Sequence, residues 1–187
     1  MKLHLLASAF VLVLAPVAVR AADEENPYKN AKVGDFANYK LTVAVAGQNI
    51  EGTVSQTVTA KSEKEVTLKV TGKVAGMDIP VQEQKIDLTK PFDPTKLNQQ
   101  AAGADMKIEK GKEGKEKLKL DGKEYETQWT NYKVTGKANN IPIDSDMKVW
   151  IAKDLPGGVI AKMETTMTVM GMKMEMKMEL SESGNKK

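Results

Sequence analysis

Cysteine is absent from this chain of 187 residues, histidine occurs once, at His4, arginine once, at Arg20, and Phe, Trp and Tyr together make up 5% of it. Without cysteine there is no disulfide and no thiolate metal site. His4 and Arg20 both lie in an N-terminal stretch that reads as a removable leader. The remaining chain is therefore expected to work without a histidine base, an imidazole metal ligand or a bidentate Arg clamp for phosphate or carboxylate. Few aromatics and no arginine beyond the leader also weigh against nucleic-acid recognition, and the lysines are interspersed with acids rather than clustered. No spacing singles out a lysine nucleophile or a carboxylate acid/base pair. The expectation is a protein that is not an enzyme and has no cofactor and no metal.

The leader is residues 1–21. It starts with Lys2, runs through an apolar stretch from Leu5 to Val19 interrupted by Ser8 and Pro16, and ends at Val19-Arg20-Ala21, where small or branched residues suit a signal peptidase. The stretch is too short, and too interrupted by proline, for a membrane span, which needs about 20 apolar residues. No cysteine follows for lipid attachment. Cleavage near Ala22 takes one lysine and the arginine, so the net charge of +3 falls to +1. The expected product is secreted, to the periplasm or beyond in a bacterium, with no membrane span in its mature form.

After a polar lead-in over residues 22–35, apolar and polar residues alternate with period two almost throughout, with Val, Thr, Ile and Met prominent; that is a β pattern. Residues 36–180 are read as a single antiparallel β domain and residues 181–187 as a flexible tail. Three hairpins can be registered. A loop at Gly47-Gln48 would set Val45 opposite Ile50, Val43 opposite Gly52 and Leu41 opposite Val54. Asp121-Gly122 is a two-residue turn signal that sets Leu118 opposite Tyr125, Lys119 opposite Glu124 and Lys117 opposite Glu126. With Met170-Gly171 at a third tip, Val169 meets Met172, Met167 meets Met174, Thr165 meets Met176, Met163 meets Met178 and Ala161 meets Leu180. The other face of that hairpin then pairs Thr168 with Lys173, Thr166 with Glu175, Glu164 with Lys177 and Lys162 with Glu179. One register satisfies both faces, and a slip of one residue would set apolar side chains against charged ones.

Further strands are expected at Glu65 to Ala75, Val81 to Leu88 and Ile143 to Ala152. The segment Thr95 to Ala102 leaves room for one short helix, and Glu109 to Lys119 reads as an exposed ribbon or loop. Asn38-Tyr39-Lys40-Leu41-Thr42 recurs as Asn131-Tyr132-Lys133-Val134-Thr135, an offset of 93 that suggests an internal duplication. A competing alignment sets Lys69 to Lys73 on Lys133 to Lys137. The fold class is all-β, a curved antiparallel sheet or partly open barrel.

Seven of the eleven methionines lie between Met163 and Met178. Packing is one reading of them. But Met specifies a core poorly, whereas β positions favour Ile and Val, and flexible thioethers suit a surface that must adapt to apolar guests of varied shape. Met163, Met167, Met174, Met176 and Met178, with Val169, are the candidate ligand-binding face. A Cu(I) site is the less favoured alternative: thioethers on alternate residues stand about 7 Å apart, too wide for one strand to wrap an ion, and no histidine assists. A structural, envelope-associated protein whose sheet packs on itself, with no small ligand, is the other. Asp144 and Asp146 are read as a solvated strand face rather than a calcium site. Trp129 and Trp150 are read as anchors of sheet packing.

Val149-Trp150-Ile151-Ala152-Lys153-Asp154-Leu155-Pro156, followed by Gly157 to Glu164 and a closing strand ending at Leu180, resembles the last three strands of the LolA/LolB-like outer-membrane lipoprotein-sorting and carrier proteins. In these a strand with a Val-Trp core leads through a proline-containing turn into two long antiparallel strands. The resemblance implies an unclosed barrel whose concave apolar face is covered by helices and holds lipid or acyl chains. The combined expectation is a secreted, non-enzymatic binding protein for a lipid or other apolar small molecule.

Overall fold

The computed structural model describes residues 26–90, 106–138, 141–157, 160–169 and 171–186, without the side chains of Met106, Ala138, Ile141 and Val169. The leader and the short-helix segment lie outside the described residues.

Among the described residues, nine antiparallel strands form one sheet: β1 (Asp35–Val45), β2 (Gln48–Lys61), β3 (Glu65–Val74), β4 (Met77–Asp87), β5 (Met106–Leu120), β6 (Lys123–Ala138), β7 (Ile141–Ile151), β8 (Ile160–Val169) and β9 (Met172–Asn185). Their order across the sheet is β4-β3-β2-β1-β9-β8-β7-β6-β5. Two meanders thus join at β1 and β9, while β4 and β5 are left as edges, so the sheet is open and not a closed barrel. The sole helical element among the described residues is a 3₁₀ turn, Pro27–Asn30. No helix there is long and apolar enough to cross a membrane.

Curvature comes from the sequence in two ways. Bulges interrupt the ladders between Asn38 and Tyr39, Val58 and Ala60, Val70 and Gly72, Lys110 and Glu113, and Trp150 and Ile151, and each bulge bends and twists its strand. Gly72 permits a close approach of strands at one such bulge: a Cβ there would fall 2.4 Å from the Thr53 carbonyl oxygen and 2.5 Å from the Ile79 side chain.

The hairpins turn through Ala46-Gly47, Ala75-Gly76 and Asp121-Gly122, with both residues at positive φ in every case (50° and 78°, 51° and 80°, 51° and 69°). That is the backbone of a type I′ turn, whose twist matches the strands it joins. It corrects the first hairpin. The turn is Ala46-Gly47, not Gly47-Gln48, so Val45 meets Gln48, Val43 meets Ile50, Leu41 meets Gly52 and Tyr39 meets Val54. The second hairpin has the expected partners. So does the third from Lys162–Glu179 to Val169–Met172, one pair short of the expected Ala161–Leu180.

One other expectation needs correction. Residues 181–185 are not a loose tail: β9 continues to Asn185 against β1, pairing Ser183 with Ala37 and Asn185 with Asp35. Side chains seal that end, with Asn185 Nδ2 donating to Asp35 Oδ1 at 2.6 Å and Ser181 Oγ donating to the Asn38 carbonyl at 3.0 Å. The lead-in is packed where it is described. Tyr28 is buried, and Asn26 donates to the carbonyls of Asp87 and Lys90, both at 3.1 Å, which ties the segment to the end of β4. The Glu109 to Lys119 ribbon belongs to edge strand β5, whose alternating Lys and Glu protect an unpaired edge.

The offset of 93 carries β1 onto β6, β2 onto β7, β3 onto β8 and β4 onto β9. Tyr39 and Tyr132, which correspond under it, are both buried. Among the described residues β5 has no counterpart.

Candidate functional site: the thioether face

Alternation puts every second side chain of β7, β8 and β9 on one side of the sheet. Three cross-strand rows result. Val149 pairs with Met163, Met163 with Met178 and Met178 with Leu41; Met147 with Thr165, Thr165 with Met176 and Met176 with Val43; Ser145 with Met167, Met167 with Met174 and Met174 with Val45. The five candidate methionines therefore share one side and lie in adjacent rows. Met163, Met178, Met176, Met174 and Met167 are 1%, 2%, 4%, 5% and 8% exposed, within one connected apolar cluster. Val169 holds its place on β8 opposite Met172, where the side begins to open to solvent.

Met147, Ser145 and Thr165 also lie on this side and were not among the candidates. Met147 is buried and extends the thioether patch onto β7, while Ser145 and Thr165 are each 3% exposed. The signal for Met147 is its alignment with Val149 and Ile151 in the alternation of β7. The oxygens Ser145 Oγ and Thr165 Oγ1 are buried without a hydrogen-bond partner, as is the Tyr39 hydroxyl on β1. Burial pushes the Tyr39 phenol well above its usual pKa, with Tyr28 adding to the shift.

Charged side chains of these strands sit on the opposite side. There Lys162 bridges Glu164 at 2.8 Å and Glu179 at 3.8 Å, and Lys177 bridges Glu179 at 2.8 Å. Such pairs, partly open to solvent, add little stability, but together with the oily rows they fix the register. Asp144 and Asp146 both engage Lys133, the latter at 3.4 Å, and hydrogen bonding to Asp144 raises the Lys133 pKa. A lysine, not a cation site, thus occupies that carboxylate pair, and no group of three or more His, Cys, Asp or Glu is placed to hold a metal ion among the described residues.

Trp129 and Trp150 are cross-strand partners on the charged side. The Lys148 ammonium lies 4.3 Å from the centroid of each ring, and Lys162 lies 4.7 Å from that of Trp150. The Trp150 indole N–H donates to Glu116 on β5. Further along the same hairpin, the Tyr125 hydroxyl is 3.5 Å from that of Ser183, which brings the end of β5 and β6 onto β9 across two intervening strands. The anchoring role expected for the tryptophans is what this arrangement provides. Near the tips of the β1–β2 and β8–β9 hairpins, Ala44, Ala46, Gly47, Met172, Lys173 and Glu175 line an open depression of about 420 Å³.

Known structures share this arrangement of strands. A protein described as exported, with a YmcC-like fold, from Bacteroides fragilis matches with a TM-score of 0.56 at 11% identity, over 83% of this chain and 97% of that one. A protein described as a lipoprotein, from Parabacteroides distasonis, matches at 0.52 and 9% identity, over 82% and 97%. The likeness is one of fold. The S-type phycobiliprotein lyase CPES from Guillardia theta aligns over 95% of this chain and 99% of that one, at 10% identity, with a TM-score of only 0.41. By sequence, no protein-family model and no curated protein matches the chain. These structures bear YmcC-like and lipoprotein names rather than LolA or LolB. What agrees with the LolA/LolB resemblance is the curved, unclosed antiparallel sheet. Its covering helices have no counterpart among the described residues.

Proposed function

We propose that this chain is a secreted, non-enzymatic binding protein that holds a lipidic or other apolar molecule on the thioether side of its curved sheet. One observation carries the reading: the methionines of β7, β8 and β9 form a contiguous patch with no charged side chain on that side of the three strands. An unbranched thioether turns about three bonds at small cost, so the patch can repack around a guest where a β-branched core would resist. The exported and lipoprotein descriptions of the first two structural neighbours, and the leader-like residues 1–21, support a place outside the cytoplasm.

The near-complete burial of the five methionines favours a second reading, in which the face is core and the protein is structural. Binding then requires side chains to move aside, and the two readings part in experiment. Extraction and mass spectrometry of protein purified from its native host, with acyl-probe titration of the delipidated protein, tests the proposal. Co-purifying lipid and saturable probe binding are expected. Their joint absence would leave the structural reading.

A further inference from the structure

Within the proposed binding face, two polar atoms stand out chemically. Ser145 is opposite Met167 and Val134, and Thr165 is opposite Met147 and Met176. The two are therefore diagonal neighbours on β7 and β8, with Cα atoms roughly 7–8 Å apart in such a geometry. Each side chain is 3% exposed, and neither Ser145 Oγ nor Thr165 Oγ1 has a hydrogen-bond partner. Buried hydroxyls are normally satisfied, and leaving one without a partner is costly. A serine and a threonine at these positions, where the surrounding rows use Met and Val, thus mark a place for a hydrogen-bonding guest atom.

The electrostatics narrow what that guest carries. Side chains on this side of β7, β8 and β9 bear no charge, and Lys133, Lys148, Lys162 and Lys177 lie on the other side. A carboxylate or phosphate placed here would lose its water without gaining a counter-ion, a penalty that two neutral hydroxyls do not offset. A hydroxyl, ester or amide oxygen loses far less and takes a bond from each. We infer that Ser145 and Thr165 are the polar subsite of the thioether face and select a neutral amphiphile, an apolar chain bearing an uncharged hydrogen-bonding group, over an anionic one. This rests on the proposed function, since it names the ligand class for the same site.

Three probes of the delipidated protein at pH 8 separate the two claims: dodecanol, dodecanoate, and diphenylhexatriene, a hydrocarbon with no polar atom. Dodecanol is expected to bind at least ten-fold more tightly than dodecanoate. The Ser145→Ala/Thr165→Val double variant should lose about ten-fold in dodecanol affinity and keep its diphenylhexatriene affinity. Thr165→Val alone, which preserves the side-chain shape, should lose about three-fold and stands in if the double variant does not fold. If diphenylhexatriene binds but dodecanol affinity is the same in parent and variants, or dodecanoate binds as tightly as dodecanol, the subsite is overturned and the apolar face survives. If the parent binds none of the three, the face itself is overturned, and the subsite with it.

Discussion

Truncating Met163 to alanine tests whether the thioether side is the load-carrying interior that its burial implies. Met163 is 1% exposed and sits between Val149 and Met178, each 2% exposed, in the row that continues to Leu41. Met163→Ala removes three heavy atoms from a site with packed neighbours on either side, so it forfeits the transfer free energy of those atoms and leaves a cavity that the rigid rows only partly close. Together these cost about 3 kcal/mol, within a range of about 2–5. Against a total stability of about 5–15 kcal/mol, that is a large share. Urea unfolding followed by the fluorescence of Trp129 and Trp150 measures it. Two companions calibrate the result. Met163→Leu keeps the volume and should cost under about 1.5 kcal/mol. Met172→Ala, at a position 49% exposed at the end of the same hairpin, should stay within about 0.5 kcal/mol of the parent. A loss below about 1 kcal/mol for Met163→Ala, or an equal loss at Met172, would refute the packing argument.

Two more predictions follow from the backbone and from buried tyrosine. Ala46 and Ala75 occupy left-handed positions at φ 50° and 51°, which disfavour a Cβ by about 1–2 kcal/mol, whereas Asn is tolerated there. Ala46→Asn and Ala75→Asn should each raise the urea midpoint, and a fall at both sites would count against the turn assignment. Burial keeps the Tyr39 phenol protonated in the fold well past pH 10, whereas the unfolded chain ionises there, so unfolding releases a proton and stability declines as pH rises. The slope rises through pH 10 toward a limit of about 1.4 kcal/mol per pH unit. Tyr39→Phe should flatten the alkaline decline by that amount and, since the hydroxyl has no partner, cost little at pH 7; coincident slopes for parent and variant between pH 10 and 11 would contradict it.

The features legible in the sequence were those written twice. The third hairpin could be registered because its oily face and its charged face demand the same pairing, and the Asp121-Gly122 hairpin because its turn residues and its Lys–Glu pairs agree. The first hairpin has only one signal. Moving its turn by one position shifts every partner by two, which leaves the same side chains on the same face, so alternation cannot tell Gly47-Gln48 from Ala46-Gly47. Ser181 to Asn185 carry no apolar pattern; their strand is made by the backbone of β1 and by the Asn185–Asp35 bond, a tertiary contact that local propensity does not reveal. Of the site, the five methionines were legible as one face. Thr165 was placed on that face by the register of the third hairpin but, like Ser145, was not singled out as part of the site, because a hydroxyl among apolar residues gains meaning only once its burial and missing partner are known.

Methionine methyl groups labelled with ¹³C report most directly on whether this face receives an apolar guest. In an NMR titration of the delipidated protein with dodecanol, the methyl signals of Met163, Met167, Met174, Met176 and Met178 are predicted to shift together and saturate. Met77, 53% exposed at the start of β4, should stay in place. Shifts confined to Met77 and Met172, or none at saturating probe, would show that the thioether side is closed core and would contradict the account.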